Sequence, residues 1–360
     1  MDTKEYKPRD LKEVDTNILN KLKNTIKNQN FDDEADSLDF CNIRELEKGT
    51  YTAVNLVKTN PIIFGKELKI TMKTIIDKSE NSDKTSKAKL EFERSEREFD
   101  LLYNIDHPNI MKSYFKWKAK NEQLKIGLEY LPCKDLKELV KHYEKKKHTK
   151  KLPLELVRFY VVEMVKALGY MRKNKILHRD IKPCNVMLDH SFHIKLANFG
   201  LGVKYDENDK ESRQSKIYDE ASNTVKYKSK ELLEKVEKEL IKQDNDSDSE
   251  FEAPSQSSSG FSSPSKGNFS SSVSSSLELN CGTTPYKAPE IHLLGAGSHE
   301  ADVWAMGVMI YELLAGHLPW EAYQIGKMIC AKFSFPEDFD ESAKEFINGC
   351  LTIDPNKRIG

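Results

Sequence analysis

"ILHRDIKPCNVMLDHSFHIKLANFG", residues 176–200, is the stretch on which the reading of the whole chain turns. Its pattern predicts two short strands, at residues 185–188 and 193–197, joined by a turn at Asp189, His190 and Ser191. A hairpin of this kind holds its flanks together, so the polar loop before it and the Asn198-Phe199-Gly200 tripeptide after it should share one site. Asp180 and Lys182 stand two apart on an extended loop and face the same side. They offer one proton acceptor and one cation for a developing anion, and Asn185 adds a neutral oxygen.

Upstream, residues 40–131 are rich in strand signals. "CNIRELEKGT", "YTAVNLVKT" and "KELKITMKTI" read as three strands, and "LKIGLEYL" as a later one. One helix is predicted between them, over residues 87–103, carrying Leu90, Phe92, Phe99, Leu101 and Leu102. From Lys134 onward helices dominate. "LPLELVRFYVVEMVKALGYM" places Leu154, Val157, Val161, Val165 and Leu168 on one stripe, with Pro153 at its start. "EADVWAMGVMIYELLAG" is apolar almost all round and reads as a buried helix. The lysine run "KHYEKKKHTKK", 141–151, reads as a solvated loop before the Pro153 helix, with an acidic partner as the lesser option. The fold class expected is α+β, with a small β-rich lobe at 40–131 and a larger helical lobe at 132–360.

Two segments fall outside that pattern. Residues 1–39 are polar, and Ile18, Leu19, Leu22 and Ile26 allow one short amphipathic helix, as a docking element or a frayed tail. Periodicity stops again over residues 203–277. More than half of residues 255–276 are serine, and such a stretch cannot bury enough apolar surface to offset its ordering entropy. A disordered insertion is the expectation, although "YKSKELLEKVEKELIKQ" before it could form a charged helix.

Composition narrows the functional classes. Lys+Arg of 57 against Asp+Glu of 58 leaves no net field that would favour nucleic acid or an anionic membrane as a general partner. No apolar run spans a bilayer and the start lacks a signal-peptide pattern, so the protein is expected inside the cell, cytosolic or nuclear. The six cysteines are scattered, without a CxxC pair or a histidine at zinc-ligand spacing.

A base near an attacking hydroxyl, charge compensation at the transferred group and oxygens for Mg²⁺ are the parts that phosphoryl transfer needs. At these residues the chain resembles the eukaryotic protein kinases, over residues 40–360 apart from the insertion. The resemblance implies a bilobal kinase fold, ATP and a divalent ion as cofactors, and protein hydroxyls as substrate. It also implies that Asp180 is the catalytic base, Lys182 its γ-phosphate partner and Asn185 a metal ligand. Lys182 followed by Pro183 is similar to the serine/threonine branch. "ITMK" resembles the strand that carries the α/β-phosphate lysine, Lys73, and Glu98 resembles its helical ion-pair partner. "CGTTPYKAPE" resembles the end of an activation segment, with Thr283 near Asp180 and Lys182. Asp302 and Trp304 resemble the helix that anchors the catalytic loop, and Arg358 the arginine that pairs with Glu290. For the adenine, Val54 and Thr71 would form the roof, Met187 the floor and Leu128 the gatekeeper, with residues 129–131, Glu129 to Leu131, offering hinge hydrogen bonds.

Two departures from the family pattern shape the expected activity. The glycine-rich loop reads "EKGTYTAV": Gly49 remains, but Glu47 and Thr52 replace the glycines on either side, adding a negative charge and bulk where amides should approach phosphate. Asn198 stands where the family carries an aspartate that bridges the metal to the phosphates. A neutral amide there should cost roughly 3–5 kcal/mol of transition-state stabilisation, about two to four powers of ten in rate. The expectation is an attenuated kinase that binds nucleotide weakly and works better with Mn²⁺ than with Mg²⁺. The alternative is a pseudokinase that acts as a binding scaffold.

Arg179, beside Asp180, resembles the residue that grips a phosphate on the activation segment, and Ser276 lies close enough to the Cys281 end to carry one. The serine tract also reads as an inert spacer. The sequence stops at Gly360, just after Arg358, so the last helix of the larger lobe is expected to be missing. Substrate and oligomeric state have no signature in the sequence.

Overall fold

The computed structural model describes residues 40–59, 67–75, 82–118, 123–204, 283–294, 297–321 and 324–359, with side chains described from residue 88 in the segment that starts at 82. The expected helix in residues 1–39, the insertion from residue 205, and Ser276 lie outside the described residues. Two compact units divide the chain, Met1–Lys204 and Tyr205–Gly360.

In the first unit, five strands form one antiparallel sheet in the order β1-β2-β3-β5-β4: β1 Phe40–Lys48, β2 Thr52–Thr59, β3 Lys69–Ile75, β4 Ser113–Lys118 and β5 Leu124–Glu129. Alternation explains β3. Ile70 and Met72 are buried in one cluster with Phe40, Val57, Tyr114, Phe115 and Trp117, which leaves Thr71 and Lys73 for the opposite face of the strand. β4 was not anticipated from the sequence. Ser113, Tyr114, Phe115 and Trp117 are all buried, so "SYFKWK" lacks the alternation by which a half-buried strand is recognised.

The expected helix is α1, Ser82–Tyr103. It buries Ala88, Ser95, Glu98, Phe99 and Leu102, the spacing of one helical face. A second helix, α2, Leu136–Lys147, occupies much of the run expected as a loop. Polarity there reported exposure rather than secondary structure. Asp135 caps the helix by accepting from Glu138 N at 2.9 Å, Leu136 anchors it in the core, and Lys145, Lys146 and Lys147 end it where the helix dipole favours cations.

α3, Leu154–Lys173, is helical as expected, but its buried stripe is Val157, Tyr160, Glu163, Met164, Ala167 and Met171. Val165 is exposed, and Leu154, Val161 and Leu168 are only half-buried. Two stripes on this helix satisfy the same period, and the partner chooses between them: His193 and the Ile194 N–H, later in the chain, both meet the Glu163 carboxylate. After α3 come β6 (Ile176–Leu177), β7 (Val186–Leu188), β8 (Ile194–Leu196) and β9 (Val203–Lys204), pairing as β6 with β9 and β7 with β8. Val203 and Lys204, expected as the first residues of the insertion, therefore belong to a strand.

The second unit is helical, with α4 Pro289–Leu294, α5 His299–Ala315, α6 Ile325–Ile329 and α7 Glu341–Cys350. α5 is buried along nearly its whole length, Trp304 and Tyr311 included, as its all-round apolar sequence requires. The expected Arg358–Glu290 pair forms as a fork, Nη1 to Oε1 at 2.7 Å and Nη2 to Oε2 at 3.1 Å. Arg358 also donates to the carbonyls of Glu300, Thr352 and Ile353. All of its donors' neighbours are thus acceptors, which is what makes a fully buried guanidinium tolerable.

Candidate active site

β-register assembles the first part of the site. Val54 pairs with Lys73 and Leu56 with Thr71 across β2 and β3, while Lys73 pairs with Ile126 and Thr71 with Leu128 across β3 and β5. Directly paired residues and their i±2 neighbours share a face, so Val54, Thr71, Lys73 and Leu128 line one side of the sheet. Glu47 pairs with Val54 on β1 and extends the same row. Gly49 sits in the β1–β2 turn, where its N–H donates to Thr52 O at 2.8 Å.

Lys73 Nζ donates to Glu98 Oε2 at 2.8 Å, and the other oxygen, Oε1, accepts the Phe199 N–H at 3.1 Å. One carboxylate on α1 thereby holds both the central strand and the Asn-Phe-Gly turn. Burial pulls the Lys73 pKa down, but the charge and hydrogen bond of Glu98, with Glu91 and Glu47 beyond it, carry it above the usual lysine value. Lys73 stays an ammonium.

The loop before β7 is held from inside. His178 donates from Nε2 to Ala197 O at 2.9 Å and accepts the Asp180 N–H on Nδ1 at 3.2 Å, which fixes its tautomer because a carbonyl can only accept and an amide N–H only donate. Arg179 takes a left-handed backbone, φ 68°, and so turns the chain at Asp180. The Asp180 carboxylate meets Lys182 Nζ at 2.8 Å, the same-side placement that the two-residue spacing requires. Asn185 Nδ2 donates to Asp180 O at 2.6 Å and to Asp180 Oδ2 at 2.9 Å.

Asn198 has φ 63° and ψ 63°, a left-handed conformation that asparagine and aspartate tolerate alike. Its Nδ2 donates to Asn185 Oδ1 at 2.9 Å. Lys73, Glu98, Asp180, Lys182, Asn185 and Asn198 thus form two linked sets of contacts, one centred on Glu98 and one on Asn185.

Several positioning residues belong to no motif in the sequence. Glu163 accepts from His193 Nδ1 at 2.5 Å and from the Ile194 N–H at 2.9 Å, and Asn109 Nδ2 donates to Ile194 O at 3.2 Å; both fix β8, which leads directly to Asn198. A carboxylate among apolar residues on α3 was the available clue to Glu163. The Glu129 carboxylate receives Lys195 Nζ at 2.8 Å and the Lys112 N–H at 3.0 Å, and the Glu129 N–H donates to Lys112 O at 3.0 Å. A hinge contact at Glu129 therefore cannot use that N–H. Leu131 is buried, and Met187 is half-buried between buried Val186 and Leu188 on β7. Thr283 belongs to the second unit, where it precedes a 3-10 turn at Thr284–Tyr286.

Against a divalent ion, the donors fit in one arrangement only. Asn185 Oδ1 is an oxygen in fixed orientation, and Asn198 can add its own carbonyl oxygen by turning its amide and giving up the bond to Asn185. Both are neutral, and among the described residues no group of three or more His, Cys, Asp or Glu could hold a metal. Among the described residues, too, no helix is long and apolar enough to cross a membrane.

Known proteins are similar to this chain over most of its length. The protein kinase domain family matches residues 40–247 and 266–360. The chain is 28% identical over 329 residues to 3-phosphoinositide-dependent protein kinase B of Dictyostelium discoideum, covering 89% of this chain and 27% of that protein. Human 3-phosphoinositide-dependent protein kinase 1 is 25% identical over 268 residues, covering 73% of this chain and 36% of its own length. Serine/threonine-protein kinase CBK1 of Pneumocystis carinii is 27% identical over 330 residues, 89% of this chain and 58% of its own. The chain spans well under two thirds of the length of each. With an antiparallel sheet followed by a helical remainder, an α+β arrangement, and with its match to that family over most of its length, the chain belongs to the protein kinase domain family.

Proposed function

We propose that the chain transfers the γ-phosphate of ATP to serine or threonine hydroxyls of a protein, at a rate reduced by Asn198. The observation that carries this reading is the oriented carboxylate of Asp180. Lys182 Nζ and Asn185 Nδ2 both bond to Oδ2, so the acceptor keeps a set direction toward an incoming hydroxyl. In the reaction the hydroxyl oxygen bonds to the γ-phosphorus and the bond from that phosphorus to the β–γ bridging oxygen breaks. ADP leaves with the electron pair, and the hydroxyl proton passes to Asp180. Lys73 and Lys182 offset the charge on the phosphate oxygens. Val54, Thr71, Leu128, Leu131 and Met187 would enclose the adenine, with Gly49 over the phosphates. The lysine-proline pair after Asp180 and the similarity to the serine/threonine-protein kinase of Pneumocystis carinii support the serine/threonine class.

The family in general uses a divalent ion with ATP. Here Asn185 and Asn198 would hold it, and the ion would withdraw charge from the transferred phosphoryl group. Mn²⁺ should serve better than Mg²⁺, because Mg²⁺ depends more on carboxylate charge and strict geometry. The second reading, a scaffold without transfer, is favoured by the amide-to-amide bond between Asn198 and Asn185, which competes with ion binding. Radiolabelled transfer to a generic protein substrate separates the two. We expect weak activity that is greater with Mn²⁺, lost in Asp180→Ala, and raised about two to four powers of ten in Asn198→Asp. Silence of the native chain with both ions, together with silence of Asn198→Asp, would leave the scaffold reading.

A further inference from the structure

The bond between Asn198 and Asn185 is possible only because residue 198 is an amide. Asn185 has no choice of orientation: its Nδ2 donates to Asp180 O at 2.6 Å and to Asp180 Oδ2 at 2.9 Å, both of which can only accept. Its Oδ1 therefore faces Asn198 and needs a donor. Asn198 Nδ2 supplies one at 2.9 Å, and the Cys184 thiol approaches the same oxygen at 3.9 Å. An aspartate in the same left-handed backbone would set a second acceptor against Asn185 Oδ1, with no proton between them. Such a pair stays open until a cation enters it. With asparagine, the link from the loop to the Asn-Phe-Gly turn is made by the chain itself.

Charge points the same way. A carboxylate at 198 repels nucleotide phosphates unless an ion stands between them, whereas a neutral amide does not. Of the remaining charges that can meet the phosphates, Lys73 on β3 and Lys182 on the loop are cationic, and Glu47 on β1 is an anion that every variant at 198 keeps. Glu98 and Asp180 hold these two lysines in place.

We infer that this chain binds nucleoside triphosphate without a divalent cation, the Asn198–Asn185 hydrogen bond doing structurally what a bridging ion does when residue 198 is an acid. The inference rests on the nucleotide site proposed above and concerns binding, while the ion's role in transfer is a separate matter. Isothermal titration of the full chain with ATP, in EDTA and in Mg²⁺, tests it. The native chain should show dissociation constants within about threefold of each other in the two conditions. Asn198→Asp should lose at least about tenfold in EDTA and recover it in Mg²⁺. Asn198→Ala removes the bond without adding charge, and should bind several-fold more weakly than the native chain while remaining indifferent to the ion. A tenfold loss for the native chain on chelation overturns the inference, as does an Asn198→Asp variant no more ion-dependent than the native chain, or an Asn198→Ala variant that binds as the native chain does in EDTA. Loss of ATP binding by the native chain in both conditions would instead remove the nucleotide-site reading beneath it.

Discussion

Glu98→Gln takes away one of two acceptor oxygens that the fold uses at once. In the native side chain Oε2 receives Lys73 Nζ at 2.8 Å and Oε1 receives the Phe199 N–H at 3.1 Å. Glutamine has a single oxygen, so whichever donor it serves, its NH₂ abuts the other. Breaking a buried pair costs about 3–5 kcal/mol, and the low end applies here because the Lys73 side chain keeps 16% exposure while that of Glu98 keeps 4%. A loss of about 3 kcal/mol in a unit of this size lowers Tm by roughly 6–12 °C. In a Lys73→Met background the ammonium is gone, and one glutamine oxygen suffices for the Phe199 N–H. There the same substitution should cost about 1 kcal/mol or less, giving a coupling energy of about 2 kcal/mol. Urea unfolding of the four proteins at pH 7, followed by circular dichroism, measures it. Coupling below about 0.5 kcal/mol would mean that the two side chains do not share an interaction, and the account of the Glu98 clamp would fail.

Gly127 faces Phe115 across β4 and β5, and a Cβ at that position would lie 2.3 Å from the phenyl ring. Gly127→Ala should therefore destabilise by about 1–3 kcal/mol in chemical denaturation, part of it regained in Phe115→Leu/Gly127→Ala; native-like stability of the single variant would contradict the packing. His292 is half-buried near Lys287, and desolvation first, then that positive charge, lowers its pKa despite a backbone bond to Thr284. The unfolded chain then takes up the proton first, so stability is flat above the ordinary histidine pKa and falls as pH drops below it toward the folded value. His107, lowered by burial and by Lys166 and Lys195, acts in the same direction. Tm measured from pH 7.5 to 5.5 should fall, and fall less in His292→Gln; an equal slope in both would refute the assignment.

Short-range chemistry was legible in the sequence, and choices made by a partner were not. The hairpin at β7 and β8 and the Asp180–Lys182 contact follow from spacing, whereas the Arg358–Glu290 pair, distant in sequence, was expected only from the family resemblance. β3 was legible because apolar and polar residues alternate along it. The face of α3 was not, since two stripes fit one period and only Glu163, meeting β8, decides between them. β4 escaped because it is buried on both sides, and α2 because a lysine-rich helix and a lysine-rich loop have the same composition. The Asn198–Asn185 bond is invisible in one dimension: it depends on Asn185 having spent its NH₂ on Asp180.

The two clamps of the site differ in what a change at position 198 can reach. Glu98 binds β3 to the backbone of Phe199, a contact indifferent to the side chain before it. Asn185 binds the Asp180 loop to the Asn198 side chain, and here the difference between amide and acid is felt directly. Exchange at 198 should therefore alter ion handling and transfer while leaving the alignment of sheet, helix and turn intact. That separation is why gain of activity in Asn198→Asp is a fair test of an attenuated enzyme. The variant changes one formal charge and one donor at a site whose other lysines and carboxylates are already held in position by contacts that do not pass through residue 198.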